Sequence, residues 1–273
     1  MVDRIVPATT YDDLAMVREL TGLRDAAPVL HEPFRQWVLE DRFVDGIRPR
    51  WEDAGVQFVT DVEPVEHAKL RMLNGSHSVL AYLGYLAGHK TVAAAASDEA
   101  FALFLRRFWR REVMPVLAAP AGLDLEHYSK QLLERYQNPA IRHLTWQIAM
   151  DGSQKLPQRI LSSIRDCLAK GSPFPCLAAV VAGWVRFVGG WDEAGQMIDV
   201  RDPLIEQIRS RLAKTGSDPV AEVRSLASIE AIFGTDLANN ATFMTAVTDA
   251  YKTLLTEGAR GLVQALGSAS ATV

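Results

Sequence analysis

The chain has 273 residues, of which 48% are hydrophobic, enough to bury a substantial core as one large domain or two small ones. Its formal net charge is −4 with both signs interspersed, so no basic face recommends nucleic acid and no block of like charge marks an interaction tail. No apolar run approaches the roughly 18 residues of a membrane span, and Cys167 and Cys176 stand in a sequence without a secretory signal, so a reducing cytoplasm with structural thiols is expected.

From Glu32 onward the spacing of apolar residues is mainly helical, punctuated by Gly and Pro. It predicts helices over residues 33–44, 65–87, 98–113, 125–136, 140–150, 157–170, 177–187, 203–215, 218–227, 240–256 and 259–266. Pro33 and Pro157 each suit a first helical turn, where the missing amide proton costs nothing. Residues 56–60, Val-Gln-Phe-Val-Thr, form the best extended segment, and Gly189-Gly-Trp-Asp-Glu-Ala-Gly-Gln reads as a tight turn or small hairpin. Residues 267–273 read as a frayed, small-residue tail.

The segment Lys69-Leu-Arg-Met-Leu-Asn-Gly-Ser-His77 carries the most chemistry. At about 100° per residue, Lys69, Asn74 and His77 fall within an arc of roughly 140° on a helix, so an amine, an amide and an imidazole could converge on one small molecule. On spacing alone a plainer account stands beside this one: Lys69 solvated, Asn74 capping or kinking the helix beside Gly75, and His77 a satisfied, partly buried histidine. Glu63 and Glu66 fit a helix amino terminus better than a paired-carboxylate site. Phe101, Phe104, Phe108 and Trp109 at helical spacing read as core. No His or Cys pair has metal-ligand spacing, and no metal is expected.

Residues 69–89 resemble the signature of the long-chain mannitol 2-dehydrogenase and fructuronate reductase family. So do Met1-Val-Asp-Arg-Ile-Val-Pro, Glu32-Pro-Phe-Arg-Gln-Trp-Val-Leu-Glu-Asp, and Asn138-Pro-Ala-Ile-Arg-His running on to Asp151-Gly-Ser-Gln-Lys155. The resemblance implies metal-independent hydride transfer between NAD or NADP and a secondary alcohol of a polyol or sugar acid, mannitol with fructose or mannonate with fructuronate. Lys69 matches the family's general acid and base, Asn74 one donor to the reacting oxygen, and His77 the histidine that orients it. Asp3 and Lys155 match positions that bind the substrate's chain. Gln147 stands where mannitol-oxidising members place an arginine, which trades a guanidinium fork for a neutral amide and puts mannitol itself in doubt.

The chain contains no Gly-x-Gly-x-x-Gly turn and no alternating strand and helix units. In the resembling family the dinucleotide-binding domain precedes the segment that begins here at Met1. The expectation is therefore a mainly α, multi-helical domain of the 6-phosphogluconate-dehydrogenase-like type. It would span residues 1–273, with at most a few short strands, no Rossmann domain, and little activity without that missing partner domain. The alternative is a non-catalytic helical module that keeps the fold for binding or assembly.

Overall fold

The structure, a computed structural model, describes residues 1–120 and 122–269. The amino-terminal part is built on a three-stranded sheet in the order β1 (Val2–Asp3), β2 (Gln36–Glu40), β3 (Val56–Val59). β1 runs antiparallel to β2, with Val2 opposite Trp37, and β3 runs parallel to it, with Trp37 opposite Val56. The helix expected over 33–44 is thus a strand. Its centre, Trp37-Val38-Leu39, is β-favouring, and neighbours on both sides satisfy its backbone, which outweighs a short stretch of compatible helical spacing. Val38 is buried while Trp37 is exposed, the period-two signature of a half-buried strand. Between β1 and β2 lies α1 (Tyr11–Thr21), which the apolar pattern did not announce because it buries no residue. Its start is specified instead by a capping box between Thr10 and Asp13, and its end by Gly22 at φ 72°.

The remainder is helical. A continuous run, α2, comprises Glu63–Ala68, Lys69–Asn74, Gly75–Val79 and Leu80–Gly84, the second and fourth stretches being wound as π-helix. Next come α3 (Val92–Ser97), α4 (Glu99–Arg107, continued by a π stretch, Phe108–Val113) and α5 (Leu125–Tyr136). α6 (Thr145–Ala149) is followed by α7, made of Gly152–Leu156, a π stretch Pro157–Leu161, and Ser162–Lys170. α8 (Pro175–Val188), α9 (Ile205–Leu212), α10 (Pro219–Ala227), α11 (Glu230–Ala238) and α12 (Ala241–Ser268) complete the chain. α12 is interrupted by Gly258 at φ 74°, so the two helices expected on either side of that residue meet at a kink. Gly267 and Ser268 belong to this helix, with Gly267 close against α4, and residues 270–273 of the expected tail lie outside the described residues.

α8 is the centre of the core. Every residue from Cys176 to Val188 except Arg186 is buried, and α12 and α2 pack against it. Phe101, Phe104, Phe108 and Trp109 are fully buried, as their spacing predicts. Each such side chain contributes on the order of 1.5–3 kcal/mol relative to exposure. Cys167 and Cys176 are both buried free thiols. No helix among the described residues is long and apolar enough to cross a membrane.

Where α2 crosses α7, a Cβ at Gly75 would meet the backbone oxygen of Arg159 at 3.0 Å. That contact falls just after one π stretch and within another, and Asn74 and Arg159 line one pocket beside it. π turns widen a helix and re-aim its side chains, which is why they recur at sites of function.

Candidate functional site

A pocket of about 250 Å³ opens where the residues following β1 meet α2, α6 and α7. Drug-sized ligands occupy roughly 300–1,000 Å³, so this space suits a small molecule. Lys69, Asn74, His77, Gln147 and Lys155 all line it, together with Arg4, His143 and Arg159. A larger apolar groove of about 750 Å³ lies between residues 168–175 and α12, but Asp249 is its sole ionisable side chain, so it offers little chemistry.

The Nζ of Lys69 donates to the backbone oxygen of Val2, so the lysine of α2 is held by β1. Asn74, one turn and a half further along α2, is half-buried, and its side-chain amide has no hydrogen-bond partner among the described residues. His77 is 6% exposed, with its ring 4.8 Å from that of Tyr136 and 5.5 Å from that of His143. Its Nε2 is buried without a partner. Burial, reinforced by His143 and the surrounding cations, holds this imidazole well below its ordinary pKa and so neutral. His143 is pushed down to about 4 for the same reason, burial first and then Lys155 and Arg159.

Lys155 projects from the first turn of α7. Asp151 before it adopts the left-handed region at φ 55°, which Asp tolerates better than most residues, and Asp202 caps the turn by accepting from the Ser153 amide at 2.8 Å. Gly152 is required here, because a Cβ would lie 2.5 Å from Trp184 Nε1 and 2.6 Å from the Tyr82 hydroxyl. Lys155 Nζ donates to the carbonyls of Met150 at 2.6 Å and Ile148 at 3.1 Å. Burial lowers its pKa, assisted by Arg159 and opposed by Asp151 and Asp202.

Asp3 is the exception among the expected site residues. It is 1% exposed and lies outside the pocket. Its carboxylate accepts from Arg135 at 2.9 and 3.1 Å and from the Tyr128 hydroxyl at 3.1 Å. Arg135 also holds Glu32 at 2.7 and 2.9 Å, and Glu32 accepts from the Ile5 amide at 2.6 Å. Held by Arg135 and Tyr128, Asp3 anchors β1 and does not line the pocket. Arg4 points the other way, lining the pocket and donating from Nε to the Phe34 carbonyl at 3.1 Å.

Arg4, His143 and Arg159 were not singled out as site residues from sequence. Arg159 lies four residues beyond Lys155, the spacing that stacks side chains on one helix face, and that signal could have found it. Arg4 sits on a segment without helical periodicity, where no such rule applies, and His143 falls in the helix expected over 140–150, which in the structure begins only at Thr145, so helical spacing would have misplaced it.

Comparison with known proteins bears on this geometry. A family model described as the mannitol dehydrogenase C-terminal domain matches residues 61–255. The chain belongs to the mannitol dehydrogenase family. A second model, the mannitol dehydrogenase Rossmann domain, matches residues 1–53, which overturns the expectations that the chain holds no Rossmann portion and that this domain is wholly absent. The matched region carries β1 and β2 of the sheet and no glycine-rich turn, so the fingerprint that sequence reading relies on could not reveal it.

The chain is 53% identical over 263 residues to the uncharacterized oxidoreductase YdfI of Escherichia coli strain K12, covering 96% of this chain and 54% of that protein. It is 49% identical over 267 residues to the D-mannonate oxidoreductase of the same strain, covering 97% and 54%. Pseudomonas fluorescens mannitol 2-dehydrogenase, solved as a ternary complex with NAD and D-mannitol, superposes with a TM-score of 0.91 at 37% identity, over 99% of this chain and 54% of that one. The chain thus spans about half the length of the relatives it matches.

Proposed function

We propose that this chain supplies the substrate pocket and the acid/base lysine of an NAD- or NADP-dependent oxidoreductase of the cytoplasm. The reaction is the interconversion of a polyol or sugar acid with its ketose, without a metal. The observation that carries this reading is the convergence of Lys69, Asn74, His77 and Lys155 on one small pocket.

In the oxidation direction the substrate carbinol loses its O–H proton to Lys69 Nζ while its C–H hydride departs, and a C=O double bond forms. The nicotinamide, when bound, accepts that hydride; its use here is supported by the NAD complex of the Pseudomonas relative. The Val2 carbonyl fixes the amine, so the base is positioned before the substrate arrives. The free amide of Asn74 can donate to the oxygen as charge develops on it. Neutral His77 presents one donor and one acceptor, which suits a hydroxyl that becomes a carbonyl. Gln147 and Lys155 reach the remaining hydroxyls.

The test is NADH oxidation with a ketose or a keto sugar acid, measured for the 273-residue chain and for a chimera in which it replaces the matching region of the E. coli D-mannonate oxidoreductase. The chimera is expected to turn over, with the chain alone near background. Lys69→Ala in the chimera should lower the rate about 10²–10⁴-fold, the usual worth of a positioned acid/base group. A Lys69→Ala chimera that keeps its rate would overturn the assignment. A folded chimera without activity would instead favour a module kept for binding or assembly.

A further inference from the structure

Four cationic side chains, Arg4, Lys69, Lys155 and Arg159, line the pocket, and no Asp or Glu does. Lys155 has Asp151 at 3.9 Å, whereas Arg4, Lys69 and Arg159 have no ion pair among the described residues. Arg159 is the most exposed to this imbalance electrically and the least satisfied chemically. Its Nε is buried, and its guanidinium makes no hydrogen bond among the described residues. Burial lowers its pKa, as does that of neighbouring Lys155. A guanidinium never surrenders its proton under ordinary conditions, so the charge stays and requires an anion.

We propose that the pocket is built for an anionic substrate, a six-carbon sugar acid, with Arg159 and Arg4 receiving its carboxylate, so that a neutral hexitol of the same length is the poorer ligand. This rests on the reading of Lys69, Asn74 and His77 as the reacting end. It adds which member of the substrate class the site prefers and which residues decide that. The arrangement has a chemical logic. Gln147 contributes only neutral groups beside His143, while Arg159 presents a planar fork of donors that matches a carboxylate, and each such charge-assisted bond is roughly twice as strong as a neutral one. Lys69 spends one of its three donors on the Val2 carbonyl and Lys155 two of its three on carbonyls, whereas Arg159 uses none of its five and Arg4 only its Nε, so the two arginines hold most of the free donors for the far end of the substrate.

Direct titration of the 273-residue chain decides the matter without any turnover, using sodium D-mannonate, D-mannitol and inorganic pyrophosphate, the last as a probe for dinucleotide phosphates. Binding of the hexonate is expected to exceed that of the hexitol by at least about tenfold at low salt, with the gap narrowing as salt is raised. Arg159→Gln should remove most of that gap by weakening the hexonate far more than the hexitol, and Arg159→Lys should keep part of it. The exposed-surface control Arg209→Gln should leave it intact. Equal binding of hexonate and hexitol by the unaltered chain would overturn the proposal, whether or not the variants fold. So would an Arg159→Gln chain that loses pyrophosphate but keeps its hexonate preference, since the cations would then serve the cofactor. Should the chimera lack activity while hexonate preference persists, the failure lies with the catalytic reading and not with this one.

Discussion

Asp3 and Arg4 are adjacent in sequence yet belong to two opposite electrostatic designs. On one side of the chain, Asp3, Glu32 and Arg135 form a buried network in which the guanidinium donates four hydrogen bonds to two carboxylates, with Tyr128 donating a fifth to Asp3. On the other, Arg4 joins Lys69, Lys155 and Arg159 around a pocket without a carboxylate. The alternation of side chains along an extended backbone separates the two by a single residue. The difference teaches what a charge can do in this molecule: where it is fully paired it holds the backbone in place, and where it lines a pocket unpaired it is left open to a ligand. The two designs are coupled, because the anchored strand supplies the Val2 carbonyl that fixes Lys69.

Breaking the anchor should have the largest effect. Arg135→Met leaves two carboxylates buried without a cationic partner and is expected to cost about 3–5 kcal/mol, read as a lowered urea midpoint. Neutralising the whole network, with Asp3→Asn and Glu32→Gln added, should recover much of that loss. If Arg135→Met alone is harmless, the network is not an anchor. Next in size is Gly152→Ala, which forces a methyl group against Trp184 and Tyr82. A loss of about 1–3 kcal/mol in stability is expected, together with weaker ligand binding because Lys155 shares that turn.

The unpaired side of the comparison is sharpened by pH. His143 titrates near 4 in the folded chain against an ordinary value of 6.5, so the unfolded chain binds more protons between those values. Stability from this group is therefore present above about pH 6.5 and lost as pH falls towards 4. After discounting for its partial exposure the loss is on the order of 1–2 kcal/mol. His143→Gln should flatten the stability profile over that window, and an unchanged slope would show that burial and the neighbouring cations do not hold this imidazole neutral. The smallest effect belongs to α1, remote from both designs. Thr10→Ala removes its capping box at a cost of about 0.5–1 kcal/mol, detectable as faster amide exchange confined to Tyr11–Thr21.

The long apolar stripes were legible because burial enforces their period: 125–136 is one helix, and the aromatic stripe Phe101, Phe104, Phe108 and Trp109 is core. Less legible were elements whose stability comes from partners remote in sequence. β2 exists because β1 and β3 satisfy its backbone, and α1 rests on a cap and not on a buried face. α3 escaped because it is too short to display a period, and α11 because Gly234 at φ 68° breaks it into short turns.

By itself, the sequence determined the family signature, the helical body, and the grouping of Lys69, Asn74 and His77 on one segment, since all three follow from local spacing and side-chain chemistry. The resemblance had already set Lys155 and Gln147 beside them, and only the tertiary structure brought Arg4, His143 and Arg159 to the same pocket and left Asp3 outside it. Those assignments turn on which charges meet a partner across more than a hundred residues, as Asp3 meets Arg135. The packing of β1 on α5 settles the place of Asp3, the crossing of α2 and α7 at Gly75 brings Arg159 to the pocket, and no local pattern records either.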